Sequence, residues 1–268
     1  MPAEALSAWR PARIVQNEPM ARGSIWLTLE AADGRAADFR PGHVLGLGLR
    51  QPDGSYLRHA YTVSVGDAPQ RRFHHLYRVI PSGRLTPRLE KLRPGETIYF
   101  QGPGHRPIED EVDPGAERII GIATGTGVGP LYGYARRVLE LGEMRPITLF
   151  AGFREESDMC LRDELDGLAH RYPNFGYRYT LTRPSPAWRG LTGRVTHSVP
   201  PMLGRLDRPH VHLVGNGEMV HLFRSALFAA GMPRERVSIE TYFNHSAEPP
   251  KPDVQGLAER LKPPAKAS

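Results

Sequence analysis

A single cysteine, Cys160, serves the whole 268-residue chain. That excludes an intramolecular disulfide, a Cys-rich zinc site and a chain-held iron–sulfur cluster, which needs about four thiolates. Redox chemistry on this chain needs another cofactor. No apolar run reaches the roughly 18 residues of a membrane span, because the most apolar windows, 119–135 and 225–232, are broken by glycine or too short. The first twenty residues hold no basic segment followed by an apolar one, so no secretory signal is read and a cytoplasmic location is expected. GxSxG and HExxH are both missing, which removes the serine-hydrolase and zincin readings. No aromatic-rich RNP motif or basic stripe accompanies Arg136-Arg137 or the Lys/Pro-rich tail, so nucleic acid is not an expected partner. His210 and His212 alternate on a strand and share a face, but without neighbouring carboxylates or thiols they read as structural, and no metal is expected.

What remains is a composition of 40% hydrophobic and 24% charged residues, ordinary for a soluble globular chain with room for two modest domains. The formal charge of +6 favours an acidic partner or a phosphate-bearing ligand.

The hydrophobic period changes along the chain. Short runs at 12–16, 24–30, 44–49, 56–65 and 73–80, separated by turn residues, predict a small antiparallel barrel. Pro52-Asp53-Gly54 has hairpin turn chemistry. Thr86-Pro87 offers the N-cap and first position of a short helix reaching Leu92, and a last strand returns over 96–101. A linker is read at 110–115. Beyond it, continuous apolar runs at 118–123, 147–151 and 211–214, with further strands at 176–181 and 237–241, alternate with helices at 128–141, 161–171 and 219–230. This is the grammar of a parallel α/β sheet, with its ligand crevice at the carboxyl ends of the strands. The segment from Ser246 onward is expected to be loosely held, with a short helix over 254–261.

Gly125-Thr126-Gly127-Val128-Gly129-Pro130 follows an apolar strand and opens a helix, where glycine admits a phosphate to backbone amides. It is neither GxGxxG nor a P-loop, and a tight strand-to-helix turn is the alternative. In the first half, alternation sets Tyr61 on one face of its strand and Ala60 and Thr62 on the other. The Tyr61 ring can stack on a flat heterocycle or simply pack at the rim. Gly83-Arg84-Leu85-Thr86 precedes the short helix and suits a pyrophosphate or an ordinary N-cap.

Taken in order, His59-Ala60-Tyr61-Thr62, Gly83-Arg84-Leu85-Thr86 and the GTGxxP opening of a βαβ half resemble the ferredoxin–NADP reductase family, most closely its bacterial FAD-containing branch. Arg40-Pro41-Gly42-His43, Leu85-Thr86-Pro87-Arg88-Leu89 and Val214-Gly215-Asn216-Gly217-Glu218-Met219 match further family segments, so the likeness covers about 12–242. It implies a two-domain fold: an antiparallel β-barrel FAD-binding domain over 1–112, an α/β parallel-sheet NADP-binding domain over 113–245 and a Pro/Lys-rich tail over 246–268. It also implies hydride transfer between NADPH and FAD, single-electron exchange with an acidic ferredoxin or flavodoxin, no membrane partner, and a monomer. The other readings are a reductase component of an oxygenase or an NAD(P)H–flavin reductase, and a non-catalytic electron-transfer flavoprotein subunit.

Carried over by resemblance, the catalytic set is Tyr61 stacking on the flavin, Thr62 near its N5, Glu240, and Tyr242 as the family's terminal aromatic. FAD would be held by Arg58 or His59, Ala60, Tyr61, Thr62, Tyr77, Val79, Gly83, Arg84, Leu85 and Thr86. NADP would be held by Gly125, Thr126, Gly127, Thr182, Gly215, Asn216 and Met219, with Arg154, Arg183 and Arg194 at positions where the bacterial branch binds the 2′-phosphate. The chain departs from the family at His59, where an arginine is usual, at Val214, where a cysteine is usual, and in the tail beyond Tyr242. Between Arg71 and Glu96, seven basic residues against two acidic ones mark a candidate docking face for the carrier.

Overall fold

The structure is a computed structural model that describes residues 8–203, 208–243, 246 and 248–262. Two units divide the described chain, one running to Asp110 and taking in Gly129–Arg137, the other comprising Glu111–Val128 and the chain from Val138 onward.

The first unit is a seven-stranded antiparallel sheet of β1 (Arg10–Ala21), β2 (Ser24–Ala31), β3 (Val44–Arg50), β4 (Tyr56–Thr62), β5 (Val65–Asp67), β6 (Arg72–Arg78) and β7 (Thr97–Gln101), in the order β4-β3-β7-β1-β2-β6-β5. Period-two alternation turns Ile14, Leu27, Leu29, Leu45, Leu47, Phe73, Ile98 and Phe100 into one core. Phe39 meets Phe73 and Phe100 edge-on at 5.1 and 5.7 Å within it. The β3–β4 hairpin turns at Pro52-Asp53-Gly54 as read: Gly54 N–H donates to Gln51 O, and Asp53 Oδ1 accepts from the Ser55 amide.

The strand read over 56–65 ends at Thr62, because the chain there exchanges partners. Val63 N–H still donates to His43 O at 2.8 Å, but Ser64 N–H donates to His74 O at 2.7 Å, and Leu76 N–H donates to Ser64 Oγ at 3.1 Å. These last two bonds tie the end of β4 to β6, which is not its neighbour in the sheet order, and curl the sheet toward a barrel. The short helix α1 (Thr86–Leu89) is one turn long. The first-unit segment of helix α2 (Val128–Glu140) lies against the same bend: a Cβ on Gly133 would be 1.6 Å from Ser64 O, and one on Gly129 2.5 Å from Ser64 Oγ. Only glycine at both positions permits that approach.

The second unit is a six-stranded parallel sheet of β8 (Arg118–Thr124), β9 (Ile147–Phe153), β10 (Phe175–Leu181), β11 (Leu191–Thr192), β12 (Pro209–Asn216) and β13 (Val237–Phe243), ordered β11-β10-β9-β8-β12-β13. The strand order reverses between β8 and β12, which puts a topological switch point at their carboxyl ends, the place where open α/β sheets take ligands. Helices α3 (Arg162–Arg171), α4 (Val195–Ser198) and α5 (Gly217–Ala229) complete the α/β pattern. The tail expected to be loosely held forms α6 (Lys251–Leu261), three residues longer than the helix read over 254–261. Its Leu257, Ala258 and Leu261 are buried in the same core as Val220 and Phe223 of α5, and that apolar stripe is what orders it. No helix among the described residues is long and apolar enough to cross a membrane.

Candidate functional site

On β4, Leu45 and Leu47 of β3 face Tyr61 and His59 across the ladder, and both leucines are fully buried. Cross-strand partners share a face, so His59 and Tyr61 lie on the inner face of the sheet at its rim. Arg58 pairs with Gly48, whose open side is covered by Trp9 stacked on Tyr56 at 4.4 Å. Arg58 therefore lies on the opposite face from Tyr61. Of the two candidates, His59 alone shares the Tyr61 face, a parity that the period-two rule already carried in the sequence. Tyr61 is half-buried against the core, its ring 5.9 Å from Tyr77 and 6.0 Å from His59. Burial pushes both phenols well above the ordinary tyrosine range, so they present neutral rings. Tyr77 donates to Asn17 Oδ1, and Asn17 in turn donates to Leu89 O and Leu92 O, which anchors α1 beneath the rings.

The segment after β6 differs from its reading as a capped helix start. Leu85, not Thr86, is the N-cap residue of α1. The Thr86 hydroxyl accepts from Ile80 N–H at 2.9 Å and donates to Ile80 O, closing the 80–86 loop upon itself. Leu85 belongs to the core. Of the proposed phosphate-holding segment, Arg84 is the exposed cation and Gly83 lies at the turn, while the Thr86 side chain is spent on shaping the loop. Ala60 is exposed on β4, and Val79, at the end of β6, is half-buried against the core.

In the second unit the two glycine segments meet at the switch point. Gly125–Gly127 forms a 3₁₀ turn before α2, where a direct helix start was read. A Cβ on Gly127 would be 2.8 Å from Val214 O, so this glycine is required by packing on β12. Gly215 has φ +129°, and a Cβ there would be 2.3 Å from Thr124 Oγ1. That hydroxyl accepts from Asn216 N–H at 3.0 Å, while Asn216 Oδ1 caps α5 by accepting from Glu218 N–H. The Thr126 side chain is almost fully buried, and Met219 is in the core, so these two offer a ligand little beyond their backbone. Glu240 pairs with Val214 across β12 and β13, and Glu240 and Tyr242 are both half-buried.

At the other end of the same edge, Arg183 N–H donates to Arg154 O and Gly193 N–H to Leu181 O, gathering the ends of β9, β10 and β11. Arg154, Thr182, Arg183 and Arg194 are all exposed there. None of the three guanidiniums has an ion-pair partner among the described residues. Glu156, two residues beyond Arg154, accepts from the Ser185 amide and hydroxyl.

The histidine pair has carboxylate company that its sequence neighbours concealed, since Glu111 lies 3.9 Å from His212. Asp113 N–H donates to His210 Nδ1, which leaves the proton on Nε2 to reach Ser238 Oγ, and the Ser238 hydroxyl donates on to His212 Nδ1. The chain of bonds is structural, and no metal-ligating group of three or more side chains assembles among the described residues.

An antiparallel flavin-type sheet followed by a parallel nucleotide-type sheet, with glycine segments at the switch point, defines a two-unit flavin–nicotinamide oxidoreductase. A family model for an oxidoreductase NAD-binding domain matches residues 122–225. The chain is 33% identical over 238 residues to ferredoxin–NADP reductase B of Sorangium cellulosum, covering 86% of this chain and 96% of that one. It is 30% identical to NADH-cytochrome b5 reductase 2 of Yarrowia lipolytica over 54% of this chain and 50% of that one. Among solved structures, a ferredoxin NADP+ reductase from Neisseria gonorrhoeae with bound FAD and NADP superposes with TM-score 0.75 at 17% identity, over 88% of this chain and 100% of that one. The ferredoxin reductase in carbazole 1,9a-dioxygenase gives TM-score 0.76 at 21% identity, over 91% and 71%. The chain belongs to the ferredoxin–NADP reductase family, and it is a flavin-dependent oxidoreductase that moves electrons between NAD(P)H and flavin.

Proposed function

We propose that the flavin is FAD, the nicotinamide substrate NADPH, and the physiological partner an acidic one-electron carrier of the ferredoxin or flavodoxin kind. The residues of the first unit fit a flavin: two neutral tyrosine rings and an imidazole form one wall at the sheet rim, with exposed cations on the loop that follows. When bound, flavin accepts a hydride from reduced nicotinamide and releases electrons singly. Tyr61 would give that ring a stacking surface, Thr62 a hydroxyl at the same strand end, His59 an imidazole and Arg84 the positive charge that a pyrophosphate needs. In the second unit, the amides around Gly125–Gly127 suit a second pyrophosphate.

The observation that carries the choice of NADPH is the set of three exposed guanidiniums at adjoining strand ends, Arg154, Arg183 and Arg194, where an NAD-specific site would present a ribose-binding acid. Charge-assisted hydrogen bonds are worth about 1.5–3 kcal/mol each. Arg183→Ala is therefore expected to raise the Michaelis constant for NADPH about tenfold or more and to leave that for NADH nearly unchanged. Equal effects on both nucleotides overturn the assignment. Heat-released cofactor should run as FAD on chromatography, and FMN or no flavin after reconstitution overturns the flavin reading.

A further inference from the structure

Between Phe73 and Tyr77 on the inner face of β6, His75 is fully buried. Its ring meets Phe73 edge-on at 5.8 Å and approaches Tyr61 at 6.3 Å, while Nδ1 lies 2.8 Å from the carbonyl oxygen of Thr62. A carbonyl can only accept, so Nδ1 carries the proton. Nε2 is then a bare acceptor, enclosed and without a hydrogen-bond partner among the described residues. Burial draws the imidazole pKa down to about 4, which keeps the ring neutral at neutral pH.

Packing alone does not select histidine here. A phenylalanine would fill the same place beside Phe73 and Tyr61 without enclosing an unsatisfied nitrogen. What histidine adds is the Nδ1–H, and it is delivered at the point where β4 ends and the chain exchanges β3 for β6 as its partner. Thr62 and Tyr61 are adjacent on that strand end, so a fixed Thr62 carbonyl holds Thr62 directly and Tyr61 through the backbone they share.

We propose that His75 is a positioning residue for the flavin site: its Nδ1–H fixes the Thr62 peptide at the end of β4, and through it the Tyr61 ring and the Thr62 hydroxyl. The role rests on the reading of Tyr61 and Thr62 as flavin-facing. Three variants separate the hydrogen bond from the shape. Asn places an amide N–H near the position of Nδ1, Gln places one near Nε2, and Phe keeps the ring without a donor. A neutral hydrogen bond of ordinary strength corresponds to about a fivefold change in binding. FAD binding to the flavin-free protein is expected to weaken about fivefold in His75→Phe and His75→Gln, with a shifted visible flavin band. His75→Asn should stay within about twofold of the unaltered protein. Independently, ¹⁵N NMR of the flavin-free protein should show His75 neutral and protonated on Nδ1 from pH 7 down to about 5.

An Nε2-protonated or charged ring at pH 7 overturns the proposal, and so does an Asn variant that binds FAD as weakly as the Gln variant. If the Phe variant fails to fold, the Asn and Gln pair and the NMR result still decide. If the unaltered protein binds no FAD, the flavin-site reading itself fails and this role with it, whereas normal FAD binding with equal Asn and Gln variants removes only the role of His75.

Discussion

One position along β4 decides which side chain shares the Tyr61 face. His59 shares the inner face with Tyr61, and Arg58, one residue earlier, shares the outer face with Gly48. His59→Ala is expected to weaken FAD binding about fivefold, the loss of one hydrogen bond to phosphate, while Arg58→Ala, acting on the far side of the sheet, should change it by less than about twofold. Titration of the flavin-free variants with FAD measures this, and a larger effect at Arg58 would reverse the assignment. The same parity rule places His75 inward between Phe73 and Tyr77, and a histidine read into an otherwise aromatic inner row was the available signal for it. Its bond to Thr62 was not legible, because the two strands are not neighbours in the sheet.

In helix α2, propensity and packing make opposite demands on glycine. Alanine is favoured over glycine in a helix interior by about 1 kcal/mol. At Gly167 in α3, where nothing lies within 4 Å of an added Cβ, Gly167→Ala should stabilise the protein by up to about that amount. At Gly133 the added Cβ would be 1.6 Å from Ser64 O, a backbone atom that cannot swing away, so Gly133→Ala should destabilise by about 1–3 kcal/mol or more. Urea midpoints of the two variants measured side by side test the pair. A stabilising Gly133→Ala would mean that α2 does not approach the Ser64 bend. The sequence announced Gly127 as part of a phosphate loop and gave Gly133 no reading, whereas the close approach of Gly127 to Val214 and of Gly133 to Ser64 gives both a packing reason that no local pattern contains.

Charge and burial act on the chain in bulk through salt and pH. Of the basic residues between Arg71 and Glu96, Arg72 is paired with Glu30 at 3.0 Å. Arg78, Arg84, Arg88, Lys91 and Arg93 remain exposed, with no ion-pair partner among the described residues. If an acidic carrier docks on this face, its reduction should slow severalfold as ionic strength rises and the screening length falls below about 10 Å, while reduction of a small uncharged quinone stays level. Arg88→Glu with Lys91→Glu should abolish the salt dependence, and persistence of that dependence would move the docking face elsewhere. Three histidines, His74, His75 and His210, are drawn by burial from 6.5 to about 4. The unfolded chain takes up their protons below about pH 6.5 and the folded chain only near 4, so stability must fall as pH drops through that window. For fully buried His75 the loss at pH 5 relative to pH 7 is about 2 kcal/mol. Urea midpoints at the two pH values report it, and His75→Phe should flatten the slope. A midpoint equal at pH 7 and pH 5 would show these rings to be more open than their burial indicates.

The sequence by itself determined the two kinds of sheet, because alternation in 12–80 and unbroken apolar runs in 118–214 are local consequences of one-sided and two-sided burial. It also marked the carboxyl edge of the sheet, since Gly125-Thr126-Gly127 follows β8 directly and Gly215-Asn216 closes β12. Only the tertiary structure decided what each of those residues is free to do. Thr86 is spent on Ile80, Met219 on the core and Glu156 on Ser185, while Arg154, Arg183 and Arg194 are gathered at three strand ends more than ten residues apart in sequence. Alternation and turn chemistry act between residues a few positions apart and can be read from the chain. Hydrogen bonds and side-chain contacts across strands depend on register, and register is fixed by the whole core at once.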